Sequence, residues 1–464
     1  MNVHRTERDM LGPLQIPEDA YYGVHTLRAS RNFRVTGSSI SEFPMLLAAL
    51  AAVKEAAAMA NSEVGGLDAV RTQAIVQACQ EIRAGALHDQ FIVDPIQGGA
   101  GTSTNMNANE VIANRALEIL GLPKGSYSNL HPNEDVNRSQ STNDVYPTAL
   151  KIAAITAGAD LIEALRHLRL SFERKAVEFA DVIKVGRTQL QDAVPMTLGQ
   201  EFASYATMMG EDELRLGESL VHLHEINLGA TAIGTGITAP PGYAEAARRH
   251  LQRITGLPVV TAPNLVEATQ DCGAFALYSG TLKRTAIKAS KICNDLRLLS
   301  SGPRAGLSEI NLPPRQAGSS IMPGKVNPVI PEMVNQVAFE VVGNDVTVTM
   351  AAEAGQLQLN AFEPIIAYSI FRSVAHLTEA CTTLADLCVD GITANKEFLR
   401  SQVESSIGVV TVLSPHIGYE ASVEVAQDAL RTGRSVTDLV IEKNLLPTEV
   451  VLMRLSPEML LGAG

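Results

Sequence analysis

The sequence predicts a mainly α-helical fold organised around a bundle of long helices, and three observations carry that expectation. Prolines at 147, 195, 263, 303, 331 and 364 bracket long Pro-free stretches, 148–180, 198–230, 265–299, 332–356 and one more beginning near 364. Proline ends or kinks a helix, so this spacing reads as five long helices. Hydrophobic residues make up 46% of the 464 while aromatics reach only 4%, with no tryptophan, so Ala, Leu, Val, Ile and Met must fill the interior. Small aliphatic side chains suit closely packed helices. The long runs are also apolar on more than one face, which calls for partners along their whole length and points to a bundle shared between copies of the chain.

Residues 1–141 mix short segments with frequent Gly, Pro and Asn and form the expected N-terminal domain, mixed but mostly helical. Met45 to Ala60 reads as an Ala-rich helix and Leu67 to Arg83 as another, their apolar residues recurring at helical spacing. Between Asp94 and Asn105, the glycines 98, 99 and 101 bring the backbone close to something, and Thr102 and Ser103 add donors ahead of the periodic run Asn109 to Leu120. A phosphate loop is excluded there, because neither the GxxxxGK spacing nor a preceding strand is present. Ser139-Gln140-Ser141-Thr142-Asn143-Asp144 then reads as a polar cap before Pro147, and a capped helix N-terminus is itself an anion site.

Residues 142–396 form the expected five-helix central domain, in which 198–230 would span about 50 Å at ~1.5 Å per residue. Val341-Val342 and Val346 to Thr349 are rich in β-branched residues but stay helix by their place in a Pro-free run. Residues 397–464 form a small C-terminal helical domain with Pro415-His416-Ile417-Gly418-Tyr419 as its turn. No internal repeat interrupts this order.

Several function classes drop out. A net charge of −13 argues against nucleic acid as the main partner, since phosphate binding needs clustered positive charge. Five cysteines, 79, 272, 293, 381 and 388, are an odd number without a CxxC pair, and read as free buried thiols of a reducing compartment. The polar start Met1 to Asp9 has no apolar signal core, and the run Met45 to Val53 stops at Lys54, far short of a membrane span. The expectation is a cytoplasmic protein. His222 and His224 are two apart and would face different ways on a helix, and HExxH, GxSxG and GxGxxG are absent, so no metal or cofactor is expected.

The stretch that carries chemistry is Gly318-Ser319-Ser320-Ile321-Met322-Pro323-Gly324-Lys325-Val326-Asn327-Pro328. Its glycines and prolines exclude helix and central strand, so two hydroxyls, an ammonium and a carboxamide sit on one loop, followed by a helix start at Pro331-Glu332. That set suits an anionic substrate. The eleven residues resemble the signature of the aspartase/fumarase superfamily, and three further segments, 97–105, 139–144 and 186–192, are similar to its substrate-site segments. The resemblance runs from about Arg5 to the last turn. It implies a three-domain fold and a homotetramer around a shared helical bundle, with each site built from segments of three subunits.

Within the superfamily, Tyr21-Tyr22-Gly23-Val24-His25-Thr26, Gln97-Gly98-Gly99-Ala100-Gly101-Thr102-Ser103 and Ser141-Thr142-Asn143 resemble the aspartase words, where fumarases tend to carry YWG, TGSGTQ and SSN. Gln189 stands where fumarases and some aspartases have His. His131 to Asn137 points the other way, being closer to the HPNDDVN of fumarases, a secondary carboxylate-binding segment outside the active site. The implied reaction is reversible anti elimination of ammonia from L-aspartate to fumarate through an aci-carboxylate carbanion, without a cofactor. Fumarase is the alternative, and a structural role the third reading.

By the same resemblance Ser319 is the base, and Lys325 and loop N–H groups lower the cost of its alkoxide. Thr102, Ser141, Thr142 and Thr188 donate to the β-carboxylate, Lys325 and Asn327 hold the α-carboxylate, and Asn143 and Gln189 address the amino group. The span from Ser319 to Lys325 is the expected lid.

Overall fold

A computed structural model describes residues 3–456 and Met459. Met1, Asn2 and the last part of the 397–464 domain lie outside the described residues. The fold is mainly α. A hairpin of β1 (His4–Asp9) and β2 (Gly12–Pro17) leads to α1 (Val24–Asn32), α2 (Pro44–Glu63), α3 (Ala69–Arg83), α4 (Thr102–Ile119) and the 37-residue α5 (Thr142–Glu178). A second hairpin, β3 (Ile183–Thr188) and β4 (Gln191–Thr197), leads to α6 (Leu198–Val221), α7 (Tyr243–Thr255), the short α8 (Leu265–Ala268) and α9 (Gly273–Leu299). Then come α10 (Val329–Glu353) and α11 (Glu363–Leu387), followed by the small helices α12 (Lys396–Ser405), α13 (Val410–Ile417), α14 (Tyr419–Thr432), α15 (Val436–Glu442) and α16 (Thr448–Arg454).

The chain divides into two compact units. The first comprises 1–162, 214–286 and 339–377; the second 163–213, 287–338 and 378–464. All five long helices, α5, α6, α9, α10 and α11, contribute residues to both.

In the first unit α2 packs against α3 and α7, and α1 against α4. Alanine on all sides of α2 lets neighbours approach closely, so Leu47, Leu50, Val53, Ala56 and Ala60 are buried without large side chains. By length and composition α2 could cross a membrane, but 78% of its apolar stretch is buried in the fold. Gly23, at the start of α1, has no side chain to cap it, and Glu110 of α4 substitutes by accepting from the N–H groups of Gly23, His25 and Thr26. Burial pushes the Glu110 carboxyl up to about 7.

In the second unit α12 lies on β3 and the 3-10 turn Ile407–Val409 on β4, with α13 and α14 packed on that turn, and Ile183, Val185, Val403, Leu413 and Val425 are buried in one cluster. Phe172, Phe179, Phe202 and Tyr205 meet edge to face between α5 and α6. Lys184 of β3, 2% exposed, lies between Glu201 at 2.6 Å and Glu309 at 2.7 Å, and Arg187 pairs with Glu309 and Asp192. The Lys184–Glu309 pair, buried on both sides, therefore roots the hairpin.

The five long helices are present, but several limits differ from the proline spacing. Helix α5 begins at Thr142, so Pro147 lies inside its early turns, and α10 begins at Val329, ahead of Pro331. Pro331 is in the first turn, where N–H groups have no intrahelical partner, so it breaks little; Pro147, one turn further in, takes the helical donor from the Asn143 carbonyl, which accepts from Asn227 Nδ2 at 2.9 Å instead. Helix α6 ends at Val221, about 36 Å long, because His222–His224 tightens into a 3-10 turn and Glu225–Ile226 pairs as a strand with Val260–Thr261. The run 265–299 breaks between α8 and α9, where Asp271 accepts from Gly273 N–H. Helix α4 starts at Thr102, earlier than the periodic run, and Pro415 lies within α13, the turn falling at Gly418 with φ 81°. The β-branched run 346–349 is helical, in α10. All five cysteines are free and buried, and burial raises the thiol pKa of each.

Candidate active site

Two helix starts of the first unit carry four of the expected site residues. The glycines before α4 adopt left-handed conformations, φ 96° at Gly99 and 88° at Gly101. What they approach is a ring: a Cβ at Gly101 would lie 2.3 Å from Tyr146 of α5. That close contact sets Thr102 at the first turn of α4 beside the start of α5. Gln97 supplies the cap, its Oε1 accepting from Thr104 N–H and Oγ1.

At the start of α5, Ser141 and Asp144 form a reciprocal cap. Ser141 Oγ accepts from Asn143 N–H at 3.2 Å, and Asp144 Oδ1 accepts from Ser141 N–H at 2.9 Å. Thr142 Oγ1 accepts from Asn105 Nδ2 of α4 at 3.1 Å, which joins the two starts. A hydroxyl that accepts an N–H keeps its own proton to give away, so Ser141 and Thr142 remain donors toward an anion. Behind them stands a buried polar network: Asn137 Oδ1 accepts from Lys54 Nζ, Asn105 and Asn109, and Gln140 Oε1 takes a second bond from Lys54. Burial lowers the Lys54 ammonium to about 7 and lifts Asp144 to about 6, the latter against three backbone N–H bonds that favour its anion.

The other five residues lie on two segments of the second unit. Thr188 ends β3, and Gln189 with Leu190 makes the hairpin turn, both at positive φ, 53° and 63°. Two left-handed residues give the turn geometry that matches strand twist, and non-glycine residues there store strain. Ser319, Lys325 and Asn327 share the expected loop, which is closed at its base by Gly318 N–H to Lys325 O at 2.7 Å and Asn327 Nδ2 to Gly318 O at 2.7 Å. Gly324 turns it at φ 80°. Ser319 Oγ accepts from the N–H groups of Ile321 at 3.2 Å and Met322 at 2.9 Å. Two donors aimed at one hydroxyl oxygen favour its charged form.

The structure thus brings Thr102, Ser141, Thr142 and Asn143 together. Among the described residues no group of three His, Cys, Asp or Glu side chains is placed to hold a metal. Sequence reading passed over Asn105, Lys54 and Asp144. The signal for Asp144 was present as an acid three residues after a capping Ser; that for Lys54 was a lone cation inside an Ala-rich helix.

The family described as Lyase matches residues 12–343, and the Fumarase C C-terminus matches 409–462. A protein of Pseudomonas aeruginosa named aspartate ammonia-lyase is 59% identical over 98% of this chain and 96% of its own. One of the same name from Escherichia coli is 55% identical over 96% and 93%. Among solved structures, a fumarate lyase:delta crystallin from Brucella melitensis bound to cobalt superposes with a TM-score of 0.96 at 55% identity, covering 98% of this chain and 99% of that one. A class II fumarase from Schistosoma mansoni gives 0.94 at 35% identity over the whole of both. Joined to a mainly helical fold and a Ser- and Lys-bearing signature loop, these likenesses place the chain in the aspartase/fumarase superfamily, as a lyase.

Proposed function

We propose that the chain is an aspartate ammonia-lyase, eliminating ammonia from L-aspartate to give fumarate, and the name shared by its full-length relatives is the observation that carries this reading. The weak acidity of the Cβ proton is the main barrier, and it falls when donors stand where charge develops on the β-carboxylate. Ser141 and Thr142, each with a free hydroxyl proton, suit that task, with Thr102 beside them and Thr188 from the hairpin. Ser319 is the base. Its two backbone N–H donors support an alkoxide, which Lys325 stabilises further. Lys325 and the remaining Asn327 N–H take the α-carboxylate, and Asn143 and Gln189 the amino group.

Sites built from three subunits of a homotetramer belong to the same proposal, as do the division into 1–141, 142–396 and 397–464, the lid role of the loop and a cytoplasmic location. Phe339, Val342, Val346 and Met350 support the tetramer. They follow one another at helical spacing along α10 and are exposed, Phe339 by 68% and Met350 by 67%, an apolar stripe that a second copy would cover.

Fumarase is the second reading, favoured by the His131 to Asn137 segment. Hydroxide leaves only with a proton delivered to it, for which an imidazole is suited, whereas ammonia leaves from an amine already protonated. Position 189 holds Gln. Fumarate absorbance should therefore grow with L-aspartate on the order of a thousandfold faster than with L-malate, about 4 kcal/mol in the barrier. Comparable kcat/KM values, or faster turnover of malate, would promote fumarase instead.

A further inference from the structure

Asn143 is expected to meet the amino group, yet a carboxamide has two ends, one accepting and one donating, and only the accepting end suits an ammonium. In the structure the donating end is occupied: Asn143 Nδ2 gives a hydrogen bond to Ala232 O at 2.7 Å. The reverse orientation would set two carbonyl oxygens against each other, so Oδ1 is left as the open end.

The Ala232 carbonyl sits in a stretch that would not hold this shape unaided. Gly229, Thr231 and Gly234 have φ of 94°, 58° and 95°, and left-handed geometry at a β-branched threonine is costly. A Cβ at Gly229 would come within 2.4 Å of Ala244 Cβ, so the stretch also runs tight against α7. One side chain fixes it. Asp144 Oδ2 accepts from Gly229 N–H at 2.9 Å and Thr231 N–H at 3.1 Å, while its Oδ1 accepts from Ser141 N–H. Asn227 adds a clasp, Nδ2 donating to the Asn143 carbonyl at 2.9 Å. Asp144 is fully buried, so these contacts are shielded from water.

We infer that Asp144 is a positioning residue for the substrate's amino group: its grip on Gly229 and Thr231 presents the Ala232 carbonyl to Asn143, which orients the Asn143 carboxamide with Oδ1 as the acceptor. The inference rests on the proposed aspartate chemistry and adds the device that selects one face of the amide. Asp144 is more than a helix cap, since a cap needs only Oδ1.

The test is the reverse reaction, fumarate plus ammonium, in which the two substrates have separate KM values. Asp144→Asn keeps an acceptor for Ser141 but sets an NH2 group against the two loop N–H groups. The KM for ammonium should rise about tenfold or more while that for fumarate moves less than about threefold. Asn143→Ala, assayed alongside, should show the same split. If Asn143→Ala leaves the ammonium KM unchanged, the amino-group subsite itself is misassigned. If Asn143→Ala shows the split and Asp144→Asn raises both KM values equally, or neither, the positioning role fails alone. Should Asp144→Asn not fold, Asn227→Ser decides: it removes the other hold of this stretch on the start of α5, Nδ2 to the Asn143 carbonyl, and a smaller rise confined to ammonium supports the inference, while an equal rise for both substrates overturns it.

Discussion

The segment around Ser141 and the loop around Ser319 both offer hydroxyls, yet they are built in opposite ways. Thr142 and Asp144 are buried, and their partners come from α4 and the 227–232 stretch, remote in sequence. Ser319 takes its hydrogen bonds from residues two and three further along its own loop, whose Ile321 is 84% exposed. One region is held by the fold, the other by itself. A group that must receive charge at a fixed point benefits from being preorganised, while a base that must reach and then release a proton tolerates a self-contained loop. Substitutions in the first region should therefore move stability and activity together, and substitutions in the second should move activity alone.

The sharpest way to break that contrast is Ser319→Ala. The change removes one oxygen from a half-buried loop site and little packing, so the melting temperature should stay unchanged while kcat falls on the order of a thousandfold. A loss below about tenfold would show that Ser319 is not the base. A large drop in melting temperature would show that the loop is held by the fold after all.

The second test uses both regions at once. If one site takes Ser141 from one chain and Ser319 from another, inactive Ser141→Ala and Ser319→Ala chains, mixed and reassembled, should regain activity. Random assembly of equal amounts leaves about a quarter of the sites with both residues intact. No recovery, or an active monomer by light scattering, would remove the composite site.

The same contrast explains what could be read from the sequence. Local features were legible: the glycine- and proline-rich loop, the Ser/Thr cap, the five long helices and their β-branched stretch. Limits failed where a proline was taken as a boundary, because Pro331 falls in a first turn that tolerates it and the Asn143 carbonyl that Pro147 leaves without a helical donor is served by Asn227, and where a Pro-free run was taken as helix throughout, at 222–230. The glycines 98, 99 and 101 correctly announced a close approach, but nothing local said that Gly101 would meet the Tyr146 ring. Spacing showed the cap between Asp144 and Ser141, but the hold of Asp144 on Gly229 and Thr231, like that of Lys54 on Asn137 and Gln140, joins groups far along the chain and leaves no spacing to read.

The smallest expected effect is one of pH on stability, and it should belong to the buried region only. Glu363, in the first turn of α11, is buried where its field reaches Tyr146, the ring against Gly101. Burial outweighs the pull of Lys151 and lifts its carboxyl from 4.5 to about 8. A carboxyl raised in the folded state binds its proton more tightly there than in the unfolded chain, so its contribution is fully present below pH 4.5 and is lost as pH rises toward 8. Asp144 and Glu110, raised to about 6 and 7, act in the same direction. Lys54, lowered to about 7, opposes them only above that pH, where the unfolded chain holds the proton that the folded one has lost. Between pH 5 and 7 the melting temperature should therefore fall, and Glu363→Gln, which cannot ionise, should make that fall shallower. Ser319→Ala should leave the slope where it was. Parallel lines for Glu363→Gln and the unaltered protein would mean that Glu363 ionises in the fold as it does in water, and that the buried region is less dry around Tyr146 than its packing implies.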